Sequence, residues 1–199
     1  MLAFLLASII IELTPGPNMT WLAVLGATRG RFPAFAAVAG IAVGLALAGL
    51  VAGLGLTVLF DTFPNMLTAL RYAGTLYLLY LGYVAWVDAG TPPEVQDRKT
   101  SSYFMQGIVS NALNPKAYLF YAAILPQFLT VANERNEIAL LTAVYVMVAT
   151  SIHFLIALAS GSLANWLAHA PHANMLRRAL ALAIAAAAIW FFISTGRMT

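Results

Sequence analysis

The chain has 199 residues, of which 62% are hydrophobic and 9% charged, with a formal net charge of +3. Its mean hydropathy of +0.86 is far from that of a soluble globular domain and indicates an integral membrane protein. There is no cysteine and there are only three scattered histidines, so we expect neither a disulfide framework nor a metal or other cofactor. The basic residues flank hydrophobic runs as topology signals, and we therefore expect no nucleic-acid partner.

A polar, helix-breaking segment interrupts the first hydrophobic run, which extends from Leu2 to about Ala27. The segment reads Glu12-Leu13-Thr14-Pro15-Gly16-Pro17-Asn18. Each proline lacks an N–H, so we expect the carbonyls of Ile11 and Leu13 to lose their helical donors, while Gly16 loosens the backbone. Freed carbonyls are tolerated at membrane depth only when they are buried in protein or line a watery cavity. The run is therefore predicted to be a discontinuous helix.

The next two runs extend from Pro33 to Phe60 and from about Leu67 to Val87. The second run contains the pairs Gly40/Gly44 and Gly49/Gly53, whose spacing lets a neighbouring helix approach closely. Such a face suits packing within one chain or a homodimer, and the sequence leaves both open. A polar linker, residues 89–102, then divides the chain.

The fourth run, residues 103–130, contains a second break, and two further runs cover about 138–167 and 179–194. The break reads Asn111-Ala112-Leu113-Asn114-Pro115-Lys116. Pro15 and Pro115 are offset by half the chain. Breaks at matching positions of two halves point to a transporter's binding site at the interface of two repeats.

Six runs predict an all-α integral membrane protein of six transmembrane helices, with the first and fourth discontinuous. Three spans per half make the second half enter from the opposite side, so residues 1–88 and 103–199 are predicted to be inverted three-helix repeats. The loops after runs one, three and five hold six Lys and Arg residues, against three on the other side. The positive-inside rule therefore places both termini outside and the linker, residues 89–102, in the cytoplasm.

Glu12 and Lys116 are the charged residues that lie deepest in hydrophobic runs, one beside each break. A lone charge at the bilayer centre costs about 3 kcal/mol, so each is expected to pair with the other. In a functional interpretation, Glu12 titrates or binds a substrate ammonium, while Lys116 and a half-helix N-terminus meet a carboxylate. A static ion pair, or a Glu12 kept neutral by burial, remains the alternative.

Four further polar side chains belong to the predicted site. Asn18, Asn111 and Asn114 either satisfy freed backbone groups or contact the substrate, and His153 either relays protons or bonds to a neighbouring helix. The sequence leaves these alternatives open. The complete predicted set of binding or coupling residues is Glu12, Pro15, Gly16, Pro17, Asn18, Asn111, Asn114, Pro115, Lys116 and His153.

Three motifs carry a resemblance that covers the whole length. The motifs are Thr14-Pro15-Gly16-Pro17-Asn18, Asn114-Pro115-Lys116-Ala117 and Pro126-Gln127-Phe128, together with the glycine-rich second run. In these features the chain resembles the LysE/RhtB family of bacterial amino-acid exporters. The resemblance implies a small multi-pass carrier of the bacterial inner membrane that exports amino acids or close derivatives and is driven by the proton gradient.

We expect alternating access, with a zwitterionic amino acid bound at the midplane in a ligand-sized hollow between the breaks. No additional deep acid is available for a cationic side chain, which favours neutral substrates. An ion channel or metal-ion permease would need a ring of carboxylates or a His/Met/Asp cluster. A membrane enzyme would need paired carboxylates, a Ser/His pair or a metal-ligand set, and the sequence presents no such spacing, so we expect no enzyme.

Overall fold

The computed structural model describes residues 1–53, 55, 62, 63, 65–90, 99–129 and 134–195, and residues 91–98 of the predicted linker lie outside this part. The described residues are helical almost throughout. In chain order the helices are α1 (Leu2–Leu13), α2 (Pro17–Arg29), α3 (Arg31–Gly53), α4 (Met66–Asp88), α5 (Thr100–Ala112), α6 (Pro115–Leu119), α7 (Glu134–Gly161), α8 (Ala164–His169) and α9 (Ala173–Thr195). A π-helical turn, Phe120–Ile124, and a 3₁₀ turn, Leu125–Phe128, follow α6.

Several of these helices are long and apolar enough to cross a membrane. Within the described part they are Arg31–Gly53, Asn136–His169 and Ala173–Ser194, and the bent pair α1–α2 makes a fourth when it is counted as one span. An all-helical membrane protein is therefore confirmed. The arrangement of six crossings in two inverted repeats stays a prediction.

The first run breaks where its prolines predict. Helix α1 ends at Leu13, α2 begins with Pro17 at its first position, and the two are bent by 64°. Proline is tolerated at the first helical position because its missing N–H would have no helical partner there. Gly16, just before it, has extended backbone with φ −138°, which any residue adopts.

The second break falls at its own Asn-Pro step. Helix α5 ends at Ala112, and Asn114 caps α6 by accepting a hydrogen bond from the backbone N–H of Lys116 at 3.1 Å. The cap satisfies one of the free N–H groups at the start of α6. The sequence left open whether Asn114 satisfies a backbone group or contacts the substrate, and in the structure it satisfies a backbone N–H group.

Glycines set the closest helix crossings. A Cβ at Gly40 would overlap the carbonyl of Phe104, and one at Gly107 would overlap the carbonyl of Ala37, so α3 and α5 touch backbone to backbone. Gly49 and Gly53 face α7 in the same way, through side chains of that helix. The two small-residue pairs of the second run are thus used within one chain, and the homodimer stays a prediction.

These crossings place both breaks in the middle of the bundle. Helix α3 lies against α5 and α7, α7 also packs on α1 and α2, and α4 packs on α9. Gly74 of α4 approaches the carbonyl of Leu113, so that α4 packs directly on the second break. The polar ends of four short helices are therefore enclosed by three long ones.

Candidate functional site

The two breaks meet around one small cavity. Eight of the ten predicted site residues line it: Glu12, Gly16, Pro17, Asn18, Asn111, Asn114, Lys116 and His153. Pro15 and Pro115, the remaining two, break the helices without lining the cavity. Residues almost one hundred positions apart, from helices α1, α2, α5, α6 and α7, are therefore brought together as the paired breaks predict.

The cavity is much smaller than predicted. Its volume is about 20 Å³, which leaves room for about one water molecule. The expected ligand-sized hollow is therefore wrong for this conformation. The helices have closed around the polar groups, and an amino acid would need them to separate.

Glu12 is buried at the centre, and its carboxyl group has three close polar neighbours among the residues that the structure describes. The Tyr145 hydroxyl donates to Oε1 at 2.6 Å. Lys116 Nζ and His153 Nε2 each lie 3.9 Å from Oε2. The predicted pairing with Lys116 is present but long, and the shortest contact comes from Tyr145, which is not among the residues predicted from the sequence.

Lys116 stabilises the end of the first half-helix. Its Nζ donates to the carbonyl of Thr14 at 3.2 Å, and the Thr14 N–H reaches the carbonyl of Ile11 at 3.1 Å. The expectation that the Ile11 carbonyl loses its donor is therefore wrong, because the chain tightens into a 3₁₀-type turn before it breaks. A cation at the C-terminus of α1 also complements the helix dipole.

Amide groups supply unused donors to the same space. Asn18 accepts a hydrogen bond from the Ser110 hydroxyl at 2.7 Å, while the Nδ2 atoms of Asn18 and Asn111 and Nδ1 of His153 are buried without a partner in the described part of the chain. Unpaired polar atoms inside a protein are costly, and beside a cavity they can be satisfied by a ligand or by water. The uncapped start of α2, at Gly16, adds backbone N–H groups at the positive end of its dipole.

An aromatic cluster fixes the direction of the Tyr145 hydroxyl. The Tyr145 ring stacks on Phe120 with centroids 3.6 Å apart, and Tyr121 stands perpendicular to it at 5.5 Å. Phe120 and Tyr121 begin the π-helical turn, a distortion that is frequent at functional sites. Tyr145 and His153 are eight residues apart, which places them on one face of α7, and that spacing was the available signal for Tyr145.

The site thus pairs one carboxylate with an ammonium and several amide donors inside an apolar bundle. These groups are chemically complementary to an ammonium and a carboxylate, although the cavity of about 20 Å³ has no room for an amino acid in this conformation. Two broken helices that meet around a polar cavity are typical of membrane transport proteins, and this is the class to which the fold and the site point.

The family can be named more closely. The model of the LysE type translocator family matches residues 9–195, and the chain belongs to that family, which confirms the resemblance found in the sequence. Members are translocators rather than enzymes, so the expectation of no enzyme is confirmed as well. No solved structure matches the chain.

Curated relatives are efflux proteins. The chain is 29% identical over 142 residues to a leucine efflux protein of Klebsiella pneumoniae subsp. pneumoniae, covering 69% of this chain and 67% of the relative. It is 33% identical over 132 residues to a homoserine/homoserine lactone efflux protein of Salmonella typhimurium, covering 64% of this chain and 63% of the relative. The same values hold for the protein of that name from Salmonella typhi. The match thus spans less than two thirds of the homoserine relatives.

Proposed function

We propose that the chain exports a neutral amino acid, or a close derivative, across the bacterial inner membrane. The observation that carries the proposal is the cavity between the two breaks, which is lined by Glu12, Lys116 and two asparagines, Asn18 and Asn111, whose Nδ2 atoms have no partner in the described part of the chain. A zwitterion would pair its ammonium with Glu12 and its carboxylate with Lys116, which leaves no further Asp, Glu, Lys or Arg for a side chain among the described residues that line the cavity. The relatives named for leucine and homoserine efflux support this substrate class, since neither side chain is charged.

In the proposed mechanism, the substrate ammonium binds Glu12 and its carboxylate binds Lys116, Asn18 and Asn111. The closed cavity of about 20 Å³ is one state of an alternating-access cycle, and opening requires α2 to move at the Pro15–Gly16 hinge. The break between α1 and α2 supports such a hinge, because no helical hydrogen bond crosses it and a Cβ at Gly16 would meet nothing within 4 Å.

The proposed topology is six crossings in two inverted repeats, residues 1–88 and 103–199. In these repeats α1 and α2 correspond to α5 and α6, α3 corresponds to α7, and α4 corresponds to α9. Helix α3 packs on α5, and its counterpart α7 packs on α1 and α2. The remaining contacts join counterparts, α3 with α7 and α4 with α9. A two-fold relation that exchanges the halves would generate this pairing. The pairing therefore supports the repeats, which would rock against each other around the cavity.

Proton coupling is assigned to Glu12 and His153. His153 Nε2 lies 3.9 Å from the carboxylate, close enough for a proton to pass through one water molecule. We expect His153→Gln to retain exchange of amino acid across proteoliposomes without a proton gradient, but to lose gradient-driven accumulation. Equal loss of both activities would contradict a relay role and assign His153 to binding or folding.

Export itself is tested with cells loaded with labelled dipeptides, which peptidases convert to high internal amino-acid concentrations. Cells that produce the protein should release at least one neutral amino acid faster than cells that produce the Lys116→Met variant at the same membrane level. The proposal would be contradicted if none of a panel of neutral, acidic and basic amino acids were released faster than from the control cells.

A further inference from the structure

A second cleft lies at one end of the bundle, between α2, α4, α5 and α9. It has a volume of about 40 Å³ and is lined by charged residues from three helix ends. Arg29 at the end of α2 pairs with Asp88 at the end of α4, and both face Arg177 in the first turns of α9. These three residues lie next to the loops that follow runs one, three and five. The positive-inside rule predicts that those loops are cytoplasmic, and it therefore places the cleft at the cytoplasmic face.

Arg177 gives this cleft an unused binding capacity. It is only 7% exposed, and its Nε has no hydrogen-bond partner in the described part of the chain. The described charged residues that line the cleft are two arginines and one aspartate, which leaves one positive charge in excess. A guanidinium buried without full pairing is costly, and its planar donors match a carboxylate.

The cleft and the central cavity are joined by shared helices. Helix α2 has Asn18 at the central cavity and Arg29 at the cleft, eleven residues or about 16 Å apart. That distance is about half of the 30 Å hydrocarbon thickness, as expected for one midplane site and one surface site. Trp21 and Leu25 are buried on the stretch of α2 between the two sites and line the inner part of the cleft.

We propose that this arginine cleft is a second substrate site, which receives the carboxylate of the amino acid at the cytoplasmic face before it reaches the central cavity. The carboxylate binds Arg177 and competes with Asp88 for Arg29, which loosens the contact between α2 and α4. Because α2 carries the hinge of the first break, its release is linked to opening of the central cavity. This inference deepens the proposed function and rests on it.

The anion preference of the cleft can be measured without knowing the substrate, because the chain has no cysteine. Gln106 also lines the cleft, and a Gln106→Cys variant in nanodiscs presents a single thiol there. We expect this thiol to react about tenfold faster with a methanethiosulfonate reagent that carries an anionic sulfonate group than with one that carries a cationic trimethylammonium group. Adding Arg177→Gln should remove this preference, and Arg177→Lys should keep it.

Arg71 supplies the matched control. Its Nε is also buried without a partner in the described part of the chain, but its guanidinium lies over the Phe192 ring at the opposite end of α4, 4.2 Å from the centroid. Adding Arg71→Gln to the Gln106→Cys variant should leave the preference of the introduced thiol unchanged. A preference that survives Arg177→Gln, or a thiol that reacts with neither reagent, would overturn the inference.

Measurements of export distinguish a failure of this inference from a failure of the proposed function. Arg177→Gln should raise the internal amino-acid concentration that gives half-maximal export about tenfold, whereas Arg71→Gln should not. An unchanged half-saturating concentration in Arg177→Gln, with export intact, would overturn the cleft as a substrate site and leave the exporter standing. Wild-type protein that exports nothing would overturn the proposed function, and the substrate role of the cleft with it.

Discussion

At the scale of single residues, the buried carboxylate of Glu12 sets the chemistry of the site. A charge at membrane depth needs a partner. The Tyr145 hydroxyl lies 2.6 Å from the carboxyl group of Glu12, and the Lys116 ammonium and the His153 ring each lie 3.9 Å from it. Since the Tyr145 ring is held by its stack on Phe120, the hydroxyl is fixed in place. Tyr145 therefore positions Glu12 for its proposed contact with the substrate ammonium.

We expect Tyr145→Phe to reduce export at least tenfold. The change removes a hydrogen bond to a charged group, which is worth about 1.5–3 kcal/mol, and keeps the stacked ring. Initial rates of release from dipeptide-loaded cells, at matched protein levels, provide the measurement. Tyr121→Phe is the control, because the hydroxyl of Tyr121 donates to the Leu45 carbonyl, and it should export normally. Wild-type rates in Tyr145→Phe would contradict the positioning role.

Residues of the site could be predicted from the sequence where their chemistry is out of place in a membrane. Glu12, Lys116 and the asparagines are costly to place in hydrocarbon, and their presence inside hydrophobic runs therefore indicated a site. Tyr145 and Ser110 were missed because tyrosine and serine are ordinary in membrane helices, and the spacing of Tyr145 from His153 does not by itself indicate a contact with Glu12. Their roles depend on contacts across 133 and 92 residues, which only the folded chain defines.

At the scale of elements, the breaks were predictable because proline chemistry is local. A proline in a helix interior removes a hydrogen bond and clashes with the carbonyl four residues back, so Pro15 and Pro115 disfavour a continuous helix through purely local chemistry. The replacement bonds were not predictable, since Thr14 turns back on Ile11 and Lys116 reaches across from the other break. The π-helical turn after α6 likewise had no signal in the sequence.

The crossing of α3 and α5 gives a prediction about stability. A Cβ at Gly107 would overlap the backbone carbonyl of Ala37, whereas one at Gly82 would be in ordinary contact with Ala181 at 3.4 Å. Gly107→Ala should therefore destabilise the protein by about 1–3 kcal/mol, and Gly82→Ala should be close to neutral. Thermal unfolding of the detergent-purified variants measures the difference. Equal midpoints would show that the backbones are not in contact.

At the scale of the whole molecule, the two inverted halves and their orientation are predictions that rest on counting spans and charges in the sequence. What the sequence could not indicate is the conformation, because a break defines where a cavity forms but not whether it is open. The small cavity of about 20 Å³ reflects the packing of α7 on the first broken pair, α1 and α2, and of α3 on the second, α5 and α6.

The proposed orientation makes a prediction about accessibility in the cysteine-free chain. Asn65 and Ser101 are both exposed, and the inverted repeats place Asn65 outside and Ser101 in the cytoplasm. On intact spheroplasts an impermeant maleimide should label Asn65→Cys, and it should label Ser101→Cys only after the membrane is permeabilised. The reverse pattern would invert the topology, and labelling of both from outside would rule out an odd number of crossings between them.

The most direct measurement of the central claim is competition in proteoliposomes between the exported amino acid and its amide, which lacks the carboxylate. With wild-type protein, the amide should compete at least tenfold less well than the acid, because Lys116 and the amide donors have lost their partner. In Lys116→Met the preference for the acid should fall well below the wild-type factor, because only the amide donors of Asn18 and Asn111 remain for the carboxylate. A Lys116→Met variant that still prefers the acid by the wild-type factor would contradict a carboxylate site between the two breaks.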